Sequence, residues 1–104
     1  MAAGIDYSIY LVTDDCYLNT AGVYQVIELA MQAGVTLLQY RAKERNTRAM
    51  LQEAAILMEL SRKYQVPLII NDRMDIALAV DAAGLHIGRM ICRWRWREGI
   101  WAIK

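Results

Sequence analysis

The chain has no phenylalanine, one proline (Pro67) and only two cysteines, Cys16 and Cys92. The two cysteines match no metal-ligand or redox spacing, so a zinc site or a disulfide scaffold is not expected. Free thiols in a reducing cytoplasm are the expectation instead. No apolar run approaches the ~20 residues that span a bilayer, and no membrane partner is expected. Residues Met1 to Asp6 lack the basic and apolar regions of a secretory signal. What is present fits a folded domain: 57% of residues are apolar and 22% charged, too hydrophobic for a disordered chain. The length of 104 residues allows one small core but falls well short of a whole (β/α)8 barrel, at about 250 residues.

A formal net charge of +1 conceals an uneven distribution. Residues 1–88 hold seven Lys or Arg against ten Asp or Glu, whereas residues 89–104 hold five against one. All three tryptophans, Trp94, Trp96 and Trp101, lie in the second part. Composition therefore divides the chain into residues 1–88 and a basic, tryptophan-rich tail, 89–104.

Within residues 1–88, short apolar runs alternate with helical patterns. Ser8–Thr13 is a β-branched run, followed by loop chemistry at Asp14, Asp15 and Asn19. From Ala21 to Ala33, Val23, Val26, Ile27 and Ala30 recur on one helical face, and Gly34 stands where a left-handed cap is wanted. Val35–Tyr40 is a second run. Asn46 or Thr47 then caps a helix carrying Leu51, Ala54, Ala55 and Met58 on one side and ending near Tyr64. Val66–Ile70 is the third run, a short helix is expected around Asp75–Val80, and Leu85–Ile87 is the fourth run. Runs that are continuously apolar suit strands covered on both faces. Their alternation with helices means βαβ units, a parallel sheet and right-handed crossovers. The expected fold is α/β with four βα units, equal to half of an eight-stranded barrel or to a small open sheet.

Polar residues gather at the carboxyl ends of these runs, where barrels and open α/β sheets build their sites. Thr13, Asp14 and Asp15 follow the first. Gln39, Arg41 and Lys43 end the second and share one side if the strand stays extended. Asn71, Asp72 and Arg73 end the third, and His86 lies in the fourth. Taken singly, each has a plainer reading: a solvated loop at residues 41–45, an Asp72–Arg73 surface pair, a turn at Asp14–Asp15, a near-core His86. Together, an amide, two cations and a carboxylate suit a diphosphate with Mg2+.

Four segments carry a resemblance to a known family: Tyr10–Asp14 (YLVTD), Gln39–Lys43 (QYRAK), Pro67–Asp81 (PLIINDRMDIALAVD) and Gly84–Gly88 (GLHIG). In order and spacing, nearly all of residues 7–88 resembles thiamine phosphate synthase. The resemblance implies a partial TIM barrel of about the first four βα units. It also implies a transferase that joins hydroxymethylpyrimidine diphosphate to thiazole phosphate and releases pyrophosphate. Gln39, Arg41, Lys43 and Asn71 would bind the pyrimidine diphosphate and Asp72 would be one Mg2+ ligand. No nucleophile or base is identified, because the diphosphate leaves to generate a pyrimidine carbocation and the site stabilises the charge that accumulates. A TenI-type thiazole tautomerase or regulator, and a nonenzymatic remnant that binds diphosphate, are the alternatives.

After Gly88 the pattern breaks. Where the family continues with Gln, an acidic residue and a second metal-binding Asp, the chain reads Arg89-Met-Ile-Cys-Arg-Trp-Arg-Trp-Arg. A cationic, tryptophan-interleaved segment is a membrane or nucleic-acid binder in one reading. A shifted frame accounts for more, so neither partner is expected. Regrouped one nucleotide earlier, Met90–Ile91 must yield Asp, Trp101–Ala102 must yield Gly, and allowed codons throughout give Q-D-D-M-P-L-A-V-A-R. A frameshift predicts a barrel cut at its midpoint, with no turnover by this chain alone. It also predicts a fourth strand whose open edge invites self-association. The DNA around the Gly88 codon tests this: the account expects an upstream frame running on into family-like sequence, and a frame without it contradicts the frameshift.

Overall fold

The computed structural model describes residues 5–95 and 100–103, with side chains described through residue 91. It contains β1 (Tyr10–Val12), α1 (Asp15–Leu18), α2 (Val23–Ala33), β2 (Leu37–Tyr40), α3 (Thr47–Tyr64), β3 (Leu68–Asn71), α4 (Met74–Val80), β4 (Gly84–Ile87), β5 (Met90–Arg95) and β6 (Ile100–Ile103). They form one sheet in the order β1-β2-β3-β4-β5-β6. The first four strands pair in parallel, and β5 and β6 are antiparallel additions.

The helix boundaries follow from local chemistry. Asn46 Oδ1 accepts the Ala49 amide at 2.8 Å, so Asn46 and not Thr47 caps α3. Gly34 ends α2 with φ 123°, a backbone conformation that a Cβ disfavours. Asp14 and Asp15, read from sequence as a turn, begin the four-residue α1 instead: Asp14 Oδ1 accepts the Tyr17 amide at 2.7 Å.

All the helices that contribute core residues pack on one face of the sheet. Leu38, Tyr40, Leu68, Ile70 and Leu85 point to that side, against Ile27, Met31, Leu57, Ile76 and Ala77. The alternate residues Leu37 and Ile69 point the other way and cluster with Ile91, Tyr10, Ile5 and Ala83. Both faces of β2 and β3 are therefore buried, which is why these strands read as unbroken apolar runs. Burying side chains such as Leu57 or Ile70 contributes about 1.5–3 kcal/mol each. By the same alternation, Gln39, Asn71 and His86 lie on the helix-free face, which is the inside of a barrel.

One expectation is corrected. The edge of β4 is not open, because the tail supplies β5, paired antiparallel to it from Gly84↔Arg93 to Ile87↔Met90. A strand edge is a row of unpaired donors and acceptors, and any following segment able to extend will satisfy it. Trp96 lies outside the described residues, as do the side chains of Cys92, Trp94 and Trp101. Among the described residues, no helix is long and apolar enough to cross a membrane.

Candidate diphosphate site

The loop after β2 carries the cations, and side chains from elsewhere in the chain hold it. Thr13, fully buried at the end of β1, accepts the Arg41 amide at 2.9 Å and donates to the Arg41 carbonyl at 3.1 Å through one hydroxyl. Asp15 accepts the amides of Lys43 and Glu44, at 2.9 and 3.2 Å. Arg45 then closes the loop. Its Nε reaches both Glu53 oxygens at 3.3 and 3.1 Å, one Nη donates to Asn19 at 2.8 Å, and the other lies 3.5 Å from Asp15. Tyr40 donates from below to Glu53 at 2.6 Å. One guanidinium thus ties α1 to α3 with the fixed fork that suits it to carboxylates.

Titration behaviour follows from these contacts. The Lys43 amide, with smaller help from Glu44 and Arg45, holds the Asp15 carboxyl below its ordinary range against a desolvation penalty. Burial, reinforced by the Glu53 carboxylate, pushes the Tyr40 phenol far up, so Tyr40 remains a donor at every physiological pH.

Lys43, Asn71 and Asp72 come together. Lys43 Nζ lies 3.0 Å from Asp72 Oδ2, with both side chains about half exposed (47% and 52%). They share a cavity of about 170 Å³ with Asn71, Arg45, Arg73 and Met50. Asp72 sits at φ 64°, in the left-handed region that Asp tolerates better than most residues. Its amide donates to the His86 carbonyl at 2.9 Å, which ties the end of β3 to β4. Arg73 does not pair with Asp72. It turns to Asp75 at 2.8 and 3.0 Å and to Thr47 at 3.0 Å.

Gln39 and Arg41 sit apart from that cavity. The strand ends at Tyr40, so the two-residue spacing does not carry all three side chains along one extended edge. Gln39 is inside the sheet, 4% exposed, and donates to the Tyr10 hydroxyl. Arg41 is half-buried beside it in the chain. His86 pairs with Asn71 across the ladder, and its Nδ1 is buried without a hydrogen-bond partner among the described residues. Leaving such an atom unsatisfied costs about 1–3 kcal/mol. The sequence singled out Gln39, Arg41, Lys43, Asn71 and Asp72, read Asn19 and Arg45 only as loop residues, and gave Tyr10, Tyr40 and Glu53 no part in a site. Tyr40 alone carried a hint, a phenol closing an apolar run and needing a partner once buried.

Mg2+ has a restricted donor set. Among the described residues no three His, Cys, Asp or Glu side chains gather into a metal site. Asp72 is the carboxylate beside the cavity. One carboxylate fits an ion that keeps waters and takes its other ligands from phosphate, as Mg2+ does.

Four parallel strands alternating with helices that cover one face, with Lys43, Asn71 and Asp72 together at the carboxyl ends of the strands, are the arrangement of the first half of a (β/α)8 barrel. A family model described as thiamine monophosphate synthase matches residues 9–94. The chain is 45% identical over 85 residues to the thiamine-phosphate synthase of Persephonella marina, an alignment covering 82% of this chain and 41% of the relative. It is 48% identical over 85 residues to thiamine-phosphate synthase 1 of Aquifex aeolicus, covering 82% and 40%. A solved thiamine phosphate pyrophosphorylase from Pyrococcus furiosus superposes with a TM-score of 0.65 at 34% identity, over 74% of this chain and 37% of that one. The chain belongs to the thiamine monophosphate synthase family. It spans about two fifths of the length of these curated relatives.

Asp15 gives the site a pH signature. Because its pKa is lowered in the folded state, the carboxylate contributes stability that is complete above its ordinary value, near pH 4. That stability is lost as pH falls through the lowered native value. Thermal melts should find Asp15→Asn less stable than wild type at pH 7, with the gap narrowing as pH falls below about 4. A gap that is constant with pH contradicts the role given to the charge.

Proposed function

We propose that this chain carries the pyrimidine-diphosphate half of a thiamine phosphate synthase site. The observation that carries the reading is the cluster of Asn71 and Asp72, at the end of β3, with Lys43, on the loop after β2 that Thr13 and Asp15 hold. In this reading Lys43 and Arg41 neutralise diphosphate oxygens, and Asn71 and Gln39 hydrogen-bond the substrate. Asp72 holds one Mg2+, which supplies further positive charge to the leaving diphosphate. The reaction of the whole enzyme couples the pyrimidine diphosphate with a thiazole phosphate and releases pyrophosphate.

The Lys43–Asp72 pair supports this assignment. An ion pair between half-exposed side chains contributes about 0–1 kcal/mol, so exchanging it for diphosphate and metal contacts costs little. The fixed backbone beneath means that binding orders two side chains and not a loop, which reduces the entropic cost. The reading concerns the pyrimidine-diphosphate side alone, because the chain spans about two fifths of the length of its curated relatives. Association of copies through a sheet edge belongs to the same reading. It uses β1 or β6, because β4 is already paired.

Calorimetric titration with inorganic pyrophosphate and Mg2+ tests the site. Saturable binding is expected, weakened about tenfold or more by Lys43→Ala, in line with the loss of a charge-assisted contact. Arg62→Ala, far along α3, should leave it unchanged. No binding by the wild type, or equal loss in both variants, contradicts the reading.

A further inference from the structure

Asp72 is the carboxylate beside the cavity, yet its side chain has one hydrogen-bond partner among the described residues, Lys43. Its direction is therefore set mainly by its backbone, and that backbone is unusual. The Arg73 amide donates to the Asn71 carbonyl at 2.8 Å across Asp72, whose φ is 64°. A three-residue turn closed in this way at positive φ is the strained form of the γ-turn. It persists only where its surroundings hold it.

Arg73 supplies the hold. Its amide closes the turn, and its carbonyl accepts the Ala77 amide at 3.1 Å, which starts α4. Its guanidinium is anchored as well. Nε and one Nη grip the two Asp75 oxygens at 3.0 and 2.8 Å, the same Nη donates to Thr47 Oγ1 at 3.0 Å, and the other Nη lies 3.2 Å from Met50 Sδ. Thr47 and Met50 belong to the first turn of α3, the helix that follows the loop carrying Lys43. Met50, Arg73, Lys43 and Asp72 all line one cavity. A planar fork with several donors can meet these partners together, whereas a single ammonium cannot.

We propose that Arg73 is a positioning residue: by clamping the start of α3 to the start of α4 it holds the strained turn that presents the Asp72 carboxylate, and so sets the affinity of the site for the divalent cation that accompanies the diphosphate. Without the clamp Asp72 relaxes away from positive φ, and a ligand that must first be ordered binds the ion more weakly. The loop of Arg41 and Lys43 has its own supports in Thr13 and Asp15, so its hold on an anion does not depend on Arg73. The inference rests on the diphosphate-site reading above and adds what keeps its metal carboxylate in place.

The test is calorimetric titration of the 104-residue chain with inorganic pyrophosphate, once in Mg2+ and once in EDTA. In wild type Mg2+ should tighten binding about tenfold or more, and Asp72→Asn should abolish that gain. Arg73→Lys, which keeps the charge and removes the fork, should cut the gain to about threefold or less, with affinity in EDTA within about twofold of wild type. Lys63→Ala breaks an ion pair of 2.8 Å to Glu28 near the other end of α3. It should leave the gain intact, which separates positioning from a general loss of stability. Equal losses with and without Mg2+ in Arg73→Lys would mean that Arg73 meets the diphosphate itself, and they overturn the inference. A full gain in Arg73→Lys overturns it too. A wild type or an Asp72→Asn variant that contradicts its expected gain removes the metal carboxylate and this inference, but leaves the cation loop standing. A wild type that binds in neither condition overturns the diphosphate site as well. Should Arg73→Lys fail to fold, Thr47→Val decides: the gain should fall about threefold, and an unchanged gain overturns the inference.

Discussion

Arg45 holds the active end of this half-barrel together. Its guanidinium joins Glu53 of α3, Asn19 after α1 and Asp15 at the start of α1. Through Asp15 it also secures the amides of Lys43 and Glu44. Removing one partner would leave partly buried charges unmatched, which costs far more than the pair contributes by itself. The clamp reconciles opposing demands. The loop must hold cations ready for an anion, yet like charges repel and a long loop loses entropy on ordering. Committing Arg45 to carboxylates fixes the backbone, and in the proposed function Lys43 and Arg41 then meet the diphosphate.

The sheet supplies the second constraint. Helices cover one face, and the alternation of side chains sends Gln39, Asn71 and His86 to the other. In a closed barrel that face is the interior, where polar residues near the carboxyl ends of strands meet the substrate. In the proposed function the charged loop takes the diphosphate and the uncharged strand residues face the rest of the substrate. The half-exposed Lys43–Asp72 pair joins the loop to the end of β3, and a pair so exposed contributes only about 0–1 kcal/mol.

The first four βα units were legible in the sequence because each strand is buried on both faces and each long helix repeats on one. Gly34, Asn46 and Tyr64 marked helix ends that the structure reproduces. Less was legible where long-range partners decide. The end of β2 depends on Thr13 capturing the Arg41 backbone from 28 residues away, so the two-residue spacing of Gln39, Arg41 and Lys43 gave no warning that Gln39 would turn inward. Glu53 lies within an amphipathic helix, and nothing in its neighbours indicates that Arg45 and Tyr40 converge on it. The strands of the tail were missed because their pairing is imposed by the vacant edge of β4 more than by the pattern of residues 90–103.

The central claim is that the cation loop is set before any ligand binds, and amide hydrogen exchange of the ligand-free chain tests it most directly. The amides of Lys43 and Glu44, bonded to the Asp15 carboxylate, should exchange about tenfold or more slowly than an unstructured loop of the same sequence. Exchange of both at the unstructured rate would mean that the loop is formed by the ligand, contrary to the account.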